Sequence, residues 1–282
     1  MITTAQKDYI EEHAYVPEHI PNYVTAVSRA EPFLFEDFLA YAKKGQLIFI
    51  GYPLSETFEG KRMRSALEDA LKRFKPESVS LTAPSIPSSL NDCVHPPSDN
   101  YYRLDLSALL FSQKLRNMLK RAGRDLSVQK NKNFDEEHRK MVDDFLKTHP
   151  VDEGTRIIFE RIGEYLSSST TAWVLDARNN RGELVAFDIA EFKPRDYVLY
   201  MFNFSSDALY VPGASDLLLF EVIRQARIEG KKQINLGLGI NPGVTFFKKK
   251  WGGVIFLPYA SCLYYPSRKE NLETLLQKLS RQ

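Results

Sequence analysis

The chain has 282 residues, 43% of them hydrophobic and 26% charged, which is enough for one large domain or two smaller ones and too apolar for wholesale disorder. A formal net charge of +2 excludes the global basic field of a dedicated nucleic-acid binder, so a polyanion site has to be a local patch and DNA is not an expected partner. The two cysteines, Cys93 and Cys262, lie far apart and in no Cys-x-x-Cys; two inert, reduced thiols and a cytoplasmic setting are expected, with no disulfide framework and no zinc site.

Taken in chain order, residues 1–8 join no basic segment to an apolar one, so no secretory leader is expected, and no later run approaches the ~18 apolar residues of a membrane span. Residues 10–24 mix Pro17 and Pro21 with aromatics and suggest irregular backbone or short edge strands. Residues 33–44 read as a short helix. Residues 46–50 form an apolar run typical of a buried strand. Met63, Ala66, Leu67, Ala70 and Leu71 then recur at helical spacing over 61–74, and 78–81 reads as a second strand. A strand–helix–strand unit of this kind pairs its strands in parallel by default. Residues 84–100 are rich in Pro, Ser and Asn; a lobe boundary is placed there, with one lobe over 1–98 and a second over 99–282.

The second lobe opens with a strand at 101–106 and a helix at 107–124, whose Leu115, Met118, Leu119 and Ala122 form one apolar stripe. Further helices fit 135–147 and 153–166. Strands at 171–176, 184–192 and 197–204 are separated by turn-forming residues and read as an antiparallel meander. A helix at 215–229 follows, with Ser215 as N-cap and Gly230 past its end. A strand at 233–238, a short helix at 245–250, strands at 254–259 and 261–265 and a closing helix at 272–279 complete the chain. The stretch 46–82 is a weaker copy of 197–238, a faint internal duplication.

The most informative stretch is Pro212-Gly213-Ala214-Ser215-Asp216. The first amides of a helix are free donors, and its dipole favours an anion. The small residues Gly213, Ala214 and Ser215 let a phosphate approach the backbone, so they are candidate cofactor-binding positions; Asp216 opposes this unless it points away. N-acyl transfer needs a deprotonated amine and a carbonyl held by donors. Asp188 is the preferred base, because it shares a strand face with Ala186 and Ala190 and burial there would raise its pKa. Glu191 is a second candidate, and Asn203 and Asn235 are placed to hydrogen-bond substrate from strand ends. Arg116, Lys120 and Arg124 stand at i, i+4 and i+8 with Lys114 and Arg121 beside them, the densest basic patch in the chain; Lys248, Lys249 and Lys250 form another. A dinucleotide loop at Gly237-x-Gly239-x-x-x-Gly243 is excluded by its spacing and by Pro242. The histidines His13, His19, His95, His138 and His149 have no ligand spacing, so no metal is expected.

Three pieces of sequence resemble the GNAT acyltransferase superfamily, and within it the Fem-type aminoacyltransferases of peptidoglycan synthesis and the lysyl-phosphatidylglycerol synthase catalytic region. They are the basic helix around Leu115-Arg116 and Lys120-Arg121-Ala122, the run from Pro212 through Gly230 to Gly239, and Phe247-Lys248-Lys249-Lys250-Trp251-Gly252. The resemblance implies an α/β fold of tandem GNAT-like lobes with mixed sheets flanked by helices, the first lobe degenerate. It implies acyl or aminoacyl transfer from acyl-CoA or aminoacyl-tRNA, a co-substrate and not a tightly bound cofactor, to an amine or hydroxyl acceptor. A cell-envelope precursor or a lipid, reached by peripheral membrane contact, fits that acceptor. The GNAT donor loop, Gln/Arg-x-x-Gly-x-Gly/Ala, is altered here to Tyr210, Gly213 and Ser215, and Phe247 or Lys248 stands where many of these enzymes keep a tyrosine acid. Those departures favour the alternative, a non-catalytic scaffold that binds a polyanion or a protein; Gly213 and the basic helix favour the enzyme.

Overall fold

A computed structural model describes residues 1–55, 57–87, 90 and 98–265; Cys93, His95 and the expected helix at 272–279 lie outside them. The chain begins with α1 (Thr4–Glu12), a 3-10 turn (Pro17–His19) and α2 (Pro21–Ser28), then β1 (Glu31–Phe35), β2 (Phe38–Lys43), β3 (Gln46–Ile50), α3 (Gly60–Phe74), β4 (Ser78–Ala83) and β5 (Asp99–Asp105). Next come α4 (Gln113–Asp125), β6 (Leu126–Asn131), α5 (Glu136–Thr148), α6 (Glu153–Glu160) and α7 (Ile162–Ser168). The remainder is β7 (Ala172–Asn179), β8 (Leu184–Glu191), β9 (Tyr197–Ser205), α8 (Ala214–Ile228), β10 (Gln233–Leu238), α9 (Pro242–Lys250) and β11 (Val254–Tyr264).

These elements form two compact units, neither of them a single stretch of chain. Among the described residues, the first holds those within 1–102, 238–245 and 255–265; the second holds 103–237 and 246–254. In the first unit the strand order is β1-β2-β3-β4-β11. The β3 and β4 strands are parallel, with Leu47 opposite Val79, and α3 connects them as the periodicity predicts. Met63, Ala66, Leu67, Ala70 and Leu71 of α3 pack into a core with Phe38, Phe49, Leu81 and Cys262. Cys262 is disulfide-bonded, so the expected free thiol is corrected.

Residues 33–44 form a hairpin and not the expected helix, with Leu34 opposite Leu39 across a turn in which Glu36 takes φ = 50°. The segment is apolar at most positions, so a helical and a strand period fit it equally well. Pairing wins because Phe33 and Phe35 reach Phe74 of α3 at ring distances of 4.7 and 6.0 Å. The expected irregular stretch at 10–24 instead contains the end of α1, the 3-10 turn and the start of α2.

In the second unit the strand order is β10-β9-β8-β7-β6; β10 runs parallel to β9 and the other neighbours are antiparallel. The meander β7-β8-β9 stands where the sequence puts it. Every residue of β8 is buried, so the strand is covered on both faces. The β6 strand has no counterpart in the sequence reading. It is a polar edge strand guarded by lysine, Lys130 Nζ lying 4.0 Å from the Trp173 ring centroid. The single helix expected over 153–166 breaks at Arg161 into α6 and α7. Both β3-α3-β4 and β9-α8-β10 are parallel β-α-β units with helices of 15 residues, which is the duplication suspected from the sequence.

Candidate active site

The parallel pairing of β9 with β10 lasts three residues: Tyr197 with Gln233, Val198 with Ile234 and Leu199 with Asn235. Beyond Leu199 the β9 strand bulges. Ile189 faces Phe202 while Ala190 faces Tyr200, leaving Met201 unmatched. A bulge bends and twists its strand, and β9 continues to Ser205 without β10 beside it. Gly237 of β10 has φ = 77°, and a side chain there would begin 3.6 Å from Lys248 Nζ and 3.9 Å from the Tyr200 carbonyl oxygen. Glycine suits this point because of its left-handed backbone, and the buried Lys248 side chain lies beside it at ordinary contact distance, at the root of the gap.

A cavity of about 200 Å³ lies at the end of β9 and the start of α8, lined among others by Ser205, Ser206, Tyr210, Gly213–Asp216 and Phe247. The helix is capped by Gly213 in a left-handed conformation, φ = 87°, and not by Ser215. The Ala214 amide is bonded to the Val211 carbonyl, and Leu217 makes the first intrahelical bond to Gly213. The Ser215 and Asp216 amides precede any intrahelical acceptor, so they are the donors a phosphate would meet.

Asp216 is turned inward. Its Oδ1 accepts from Trp251 Nε1 at 2.8 Å and pairs with Lys250 Nζ at 2.6 Å. The objection that this acid would repel a phosphate is removed by that pairing. Each residue of 247–252 now has a physical role. Phe247 lines the cavity, Lys248 fills the root of the gap, Lys250 and Trp251 hold Asp216, and Gly252 takes φ = 88°.

A chain of side chains leads from the cavity into the sheet. Ser215 Oγ donates to Asn203 Oδ1 at 3.0 Å, and Asn203 Nδ2 donates to Asp188 Oδ1 at 2.6 Å. Asn203 is exposed and Asp188 wholly buried. Burial pushes the Asp188 carboxyl up to about 8, only partly offset by its contacts with Asn203 and Tyr200. Its other oxygen and the buried Tyr200 hydroxyl lack a hydrogen bond of normal geometry, although each perturbs the other's titration. Asp188 therefore reaches the cavity only through Asn203 and Ser215. Tyr200 carries no signal in the sequence beyond being a tyrosine in an apolar strand.

The remaining candidates are held in the framework. Glu191 is buried and accepts from Tyr165 Oη (2.8 Å), Ser169 Oγ (3.0 Å) and the Lys193 amide (3.0 Å). Asn235 is buried, and its Oδ1 accepts the Gly237 amide at 2.7 Å. Arg116, Lys120 and Arg124 are exposed on α4. This helix passes beside the loop, for a side chain on Gly213 would begin 3.3 Å from both Met118 and Ala122. By helical spacing, Lys114 and Arg121 flank those two residues, while Arg116, Lys120 and Arg124 point away from them. A larger hollow of about 440 Å³ in the first unit, between Arg29, Lys43–Gln46 and Phe74, contains no buried polar side chain and is not a candidate. Among the described residues there is no cluster of three potential metal ligands, and no helix is long and apolar enough to cross a membrane.

No protein-family model matches the sequence, and no curated protein does. Solved structures do match. The C-terminal domain of a putative lysylphosphatidylglycerol synthetase from Agrobacterium fabrum superposes with a TM-score of 0.62 at 15% identity, covering 92% of each chain. FemX superposes with a TM-score of 0.60 at 12% identity, over 92% of this chain and 96% of its own. A tandem GNAT protein from the clavulanic acid biosynthesis pathway gives 0.52 at 9% identity, over 81% and 78%. At these identities the likeness is one of fold: the chain has the mixed α/β architecture of tandem GNAT and Fem-type proteins, as its sequence resemblance implied.

Proposed function

We propose that the protein transfers an acyl or aminoacyl group from a phosphate-bearing carrier, coenzyme A or the 3′ end of an aminoacyl-tRNA, to an amine or hydroxyl acceptor. The observation that supports this reading best is the cavity at the start of α8, beside the unpaired length of β9. A carrier phosphate would lie against the Ser215 and Asp216 amides, favoured by the helix dipole. The unpaired β9 backbone offers donors and acceptors to the extended part of the carrier and holds its carbonyl for attack. Asn203 and Ser215 orient the bound group, and Asp188 fixes Asn203 from within. An acceptor that is a cell-envelope precursor or a lipid suits the lysylphosphatidylglycerol synthetase and FemX likeness.

A binding module without turnover is the second reading. It is favoured by one feature: Asp188, Glu191 and Asn235 are all closed to solvent.

Thermal unfolding with coenzyme A, acetyl-CoA and charged tRNA tests the first reading. A true donor at a hundredfold excess over its Kd stabilises the fold by about 2.7 kcal/mol. Val211→Trp fills the cavity from a half-buried position and is expected to abolish that gain while leaving the unliganded Tm close to the parent's. Absence of any shift in the parent protein defeats the proposal. A donor that binds but is never consumed selects the binding module.

The placement of α4 gives a second expectation. The pair Lys114→Glu and Arg121→Glu should weaken polyanion binding about tenfold at low salt, and the pair Arg116→Glu and Lys120→Glu distinctly less. Raising the salt should shrink the difference. Equal losses from the two pairs would mean that the loop-side flank of the helix has no special part.

A further inference from the structure

We propose that a tyrosine-walled recess around Glu18, in the first unit, binds an organic ammonium ion. Glu18 belongs to the 3-10 turn Pro17–His19. That turn is pinned twice: Tyr41 Oη donates to the Glu18 carbonyl at 2.8 Å, and His19 Nε2 lies 2.9 Å from the Tyr52 carbonyl. The Glu18 side chain is thus held in place with little freedom left to lose on binding.

Tyr101 Oη donates to both carboxylate oxygens, at 2.8 and 2.9 Å. One phenol proton shared by two oxygens is the geometry of an accepting carboxylate, and it leaves most of the lone pairs unused. The Tyr101 ring is walled by Tyr52, Tyr259 and Phe256 at centroid distances of 5.9, 5.7 and 6.4 Å. Burial first, and then the Glu18 charge, raise the pKa of Tyr23, Tyr52 and Tyr259, so all three phenols feel the same carboxylate. Tyr41, Tyr52 and Tyr101 are buried, whereas Glu18, Tyr23, Phe256 and Tyr259 are half-buried. Solvent therefore reaches Glu18 in part, on the side of Tyr23, Phe256 and Tyr259.

Among the described residues no lysine or arginine pairs with Glu18. Its one basic neighbour, His19, is driven down to about 4 by burial and is neutral at physiological pH. Burial likewise raises the Glu18 pKa, and no cation offsets it. A desolvated carboxylate without a balancing cation is costly, and Glu18 is only half-buried. A cation entering the recess would gain the carboxylate and the faces of the surrounding rings together. A metal ion needs several oxygen ligands, and a single carboxylate among aromatic rings does not supply them. An alkylammonium group, with three N–H donors and an apolar stem, fits both the floor and the walls. This proposal is independent of the acyl-transfer reading, because every residue it uses lies in the first unit and its test involves no carrier.

The test titrates the whole chain with n-butylammonium chloride and with n-butanol, its uncharged counterpart, by calorimetry or ligand-observed NMR. The ammonium should bind at least about tenfold more tightly than the alcohol. Glu18→Gln should bring its affinity down to the alcohol's, and Tyr259→Leu, which keeps the carboxylate, should lower it about threefold. Equal affinity for the two compounds, or no binding of the ammonium by the parent protein, overturns the proposal. So does a folded Glu18→Gln that binds as the parent does. Should Glu18→Gln fail to fold, an unchanged ammonium affinity in Tyr259→Leu overturns it equally.

Discussion

Asp176→Ala is expected to destabilise the protein by roughly 3–5 kcal/mol, because it removes the buried carboxylate that His138, Asn131 and Arg178 share. Asp176 is a buried residue of β7; it accepts from His138 Nε2 at 2.9 Å, Asn131 Nδ2 at 3.2 Å and Arg178 at 3.3 Å. His138, wholly buried, lies 2.8 Å from Asp135, the N-cap of α5, and Arg178 pairs with Glu137 at 2.8 Å. The cluster thus fastens α5 and the edge strand β6 to the sheet. Burial opposes a charge on His138, but the hydrogen bonds and charges of Asp176 and Asp135 outweigh it and raise the pKa. The sign of the pH dependence follows. A raised folded-state value means that protonation favours the native state. That stabilisation is complete below the unfolded-state value of about 6.5 and is lost as pH rises through the higher native one. Urea denaturation on either side of this window measures it. Asp176→Asn keeps the shape, removes the charge and should flatten this part of the profile. A parent protein whose stability does not change across the window would show that His138 is held neutral.

Much of this fold is legible in the sequence because its signals are local. The stripe of α3 and the Pro212-Gly213 entrance to α8 each lie within a few neighbouring residues, and each helix is where those residues put it, although Gly213 and not Ser215 caps the second. The failures are of two kinds. Residues 33–44 and β6 mislead because their side chains fit either period or neither, and distant contacts decide: Phe74 under the hairpin, Trp173 beside the edge strand. The site is less legible because burial of a charge is a property of pairs. Asp188 and Glu191 stand three residues apart on β8, yet Glu191 has three donors, two of them from the Tyr165–Ser169 region, while Asp188 has a single close hydrogen bond and a raised pKa. Nothing within β8 distinguishes them. Lys248 reads as one of three like lysines, yet it is the one whose side chain is buried, with its Nζ beside Gly237. Glu18 carries no motif at all; the tyrosines around it come from five separate segments.

Substituting Gly213 should have the second large effect, and one that a binding assay alone would misread. The residue takes φ = 87°, and a Cβ there would begin 3.3 Å from Met118 and Ala122 of α4. An L-residue in the left-handed region is disfavoured by about 1–2 kcal/mol, and a β-branched one by more. Added crowding against α4 brings the expected loss to about 2 kcal/mol for Gly213→Ala and roughly 3 kcal/mol or more for Gly213→Val. The Gly213 carbonyl also accepts the first intrahelical bond of α8, from Leu217 at 2.9 Å, so the strain falls on the helix start itself. Donor binding should disappear in Gly213→Val together with stability, whereas Val211→Trp should lose binding alone. Urea midpoints of the two variants, measured without ligand, separate the cases. If Gly213→Val proves as stable as the parent, the left-handed cap is not what holds the loop, and the amides of Ser215 and Asp216 are not fixed in the orientation a phosphate requires. If it is unstable as expected, this glycine answers first to the backbone, and the case for a carrier at this helix end rests on the open cavity and the unpaired length of β9.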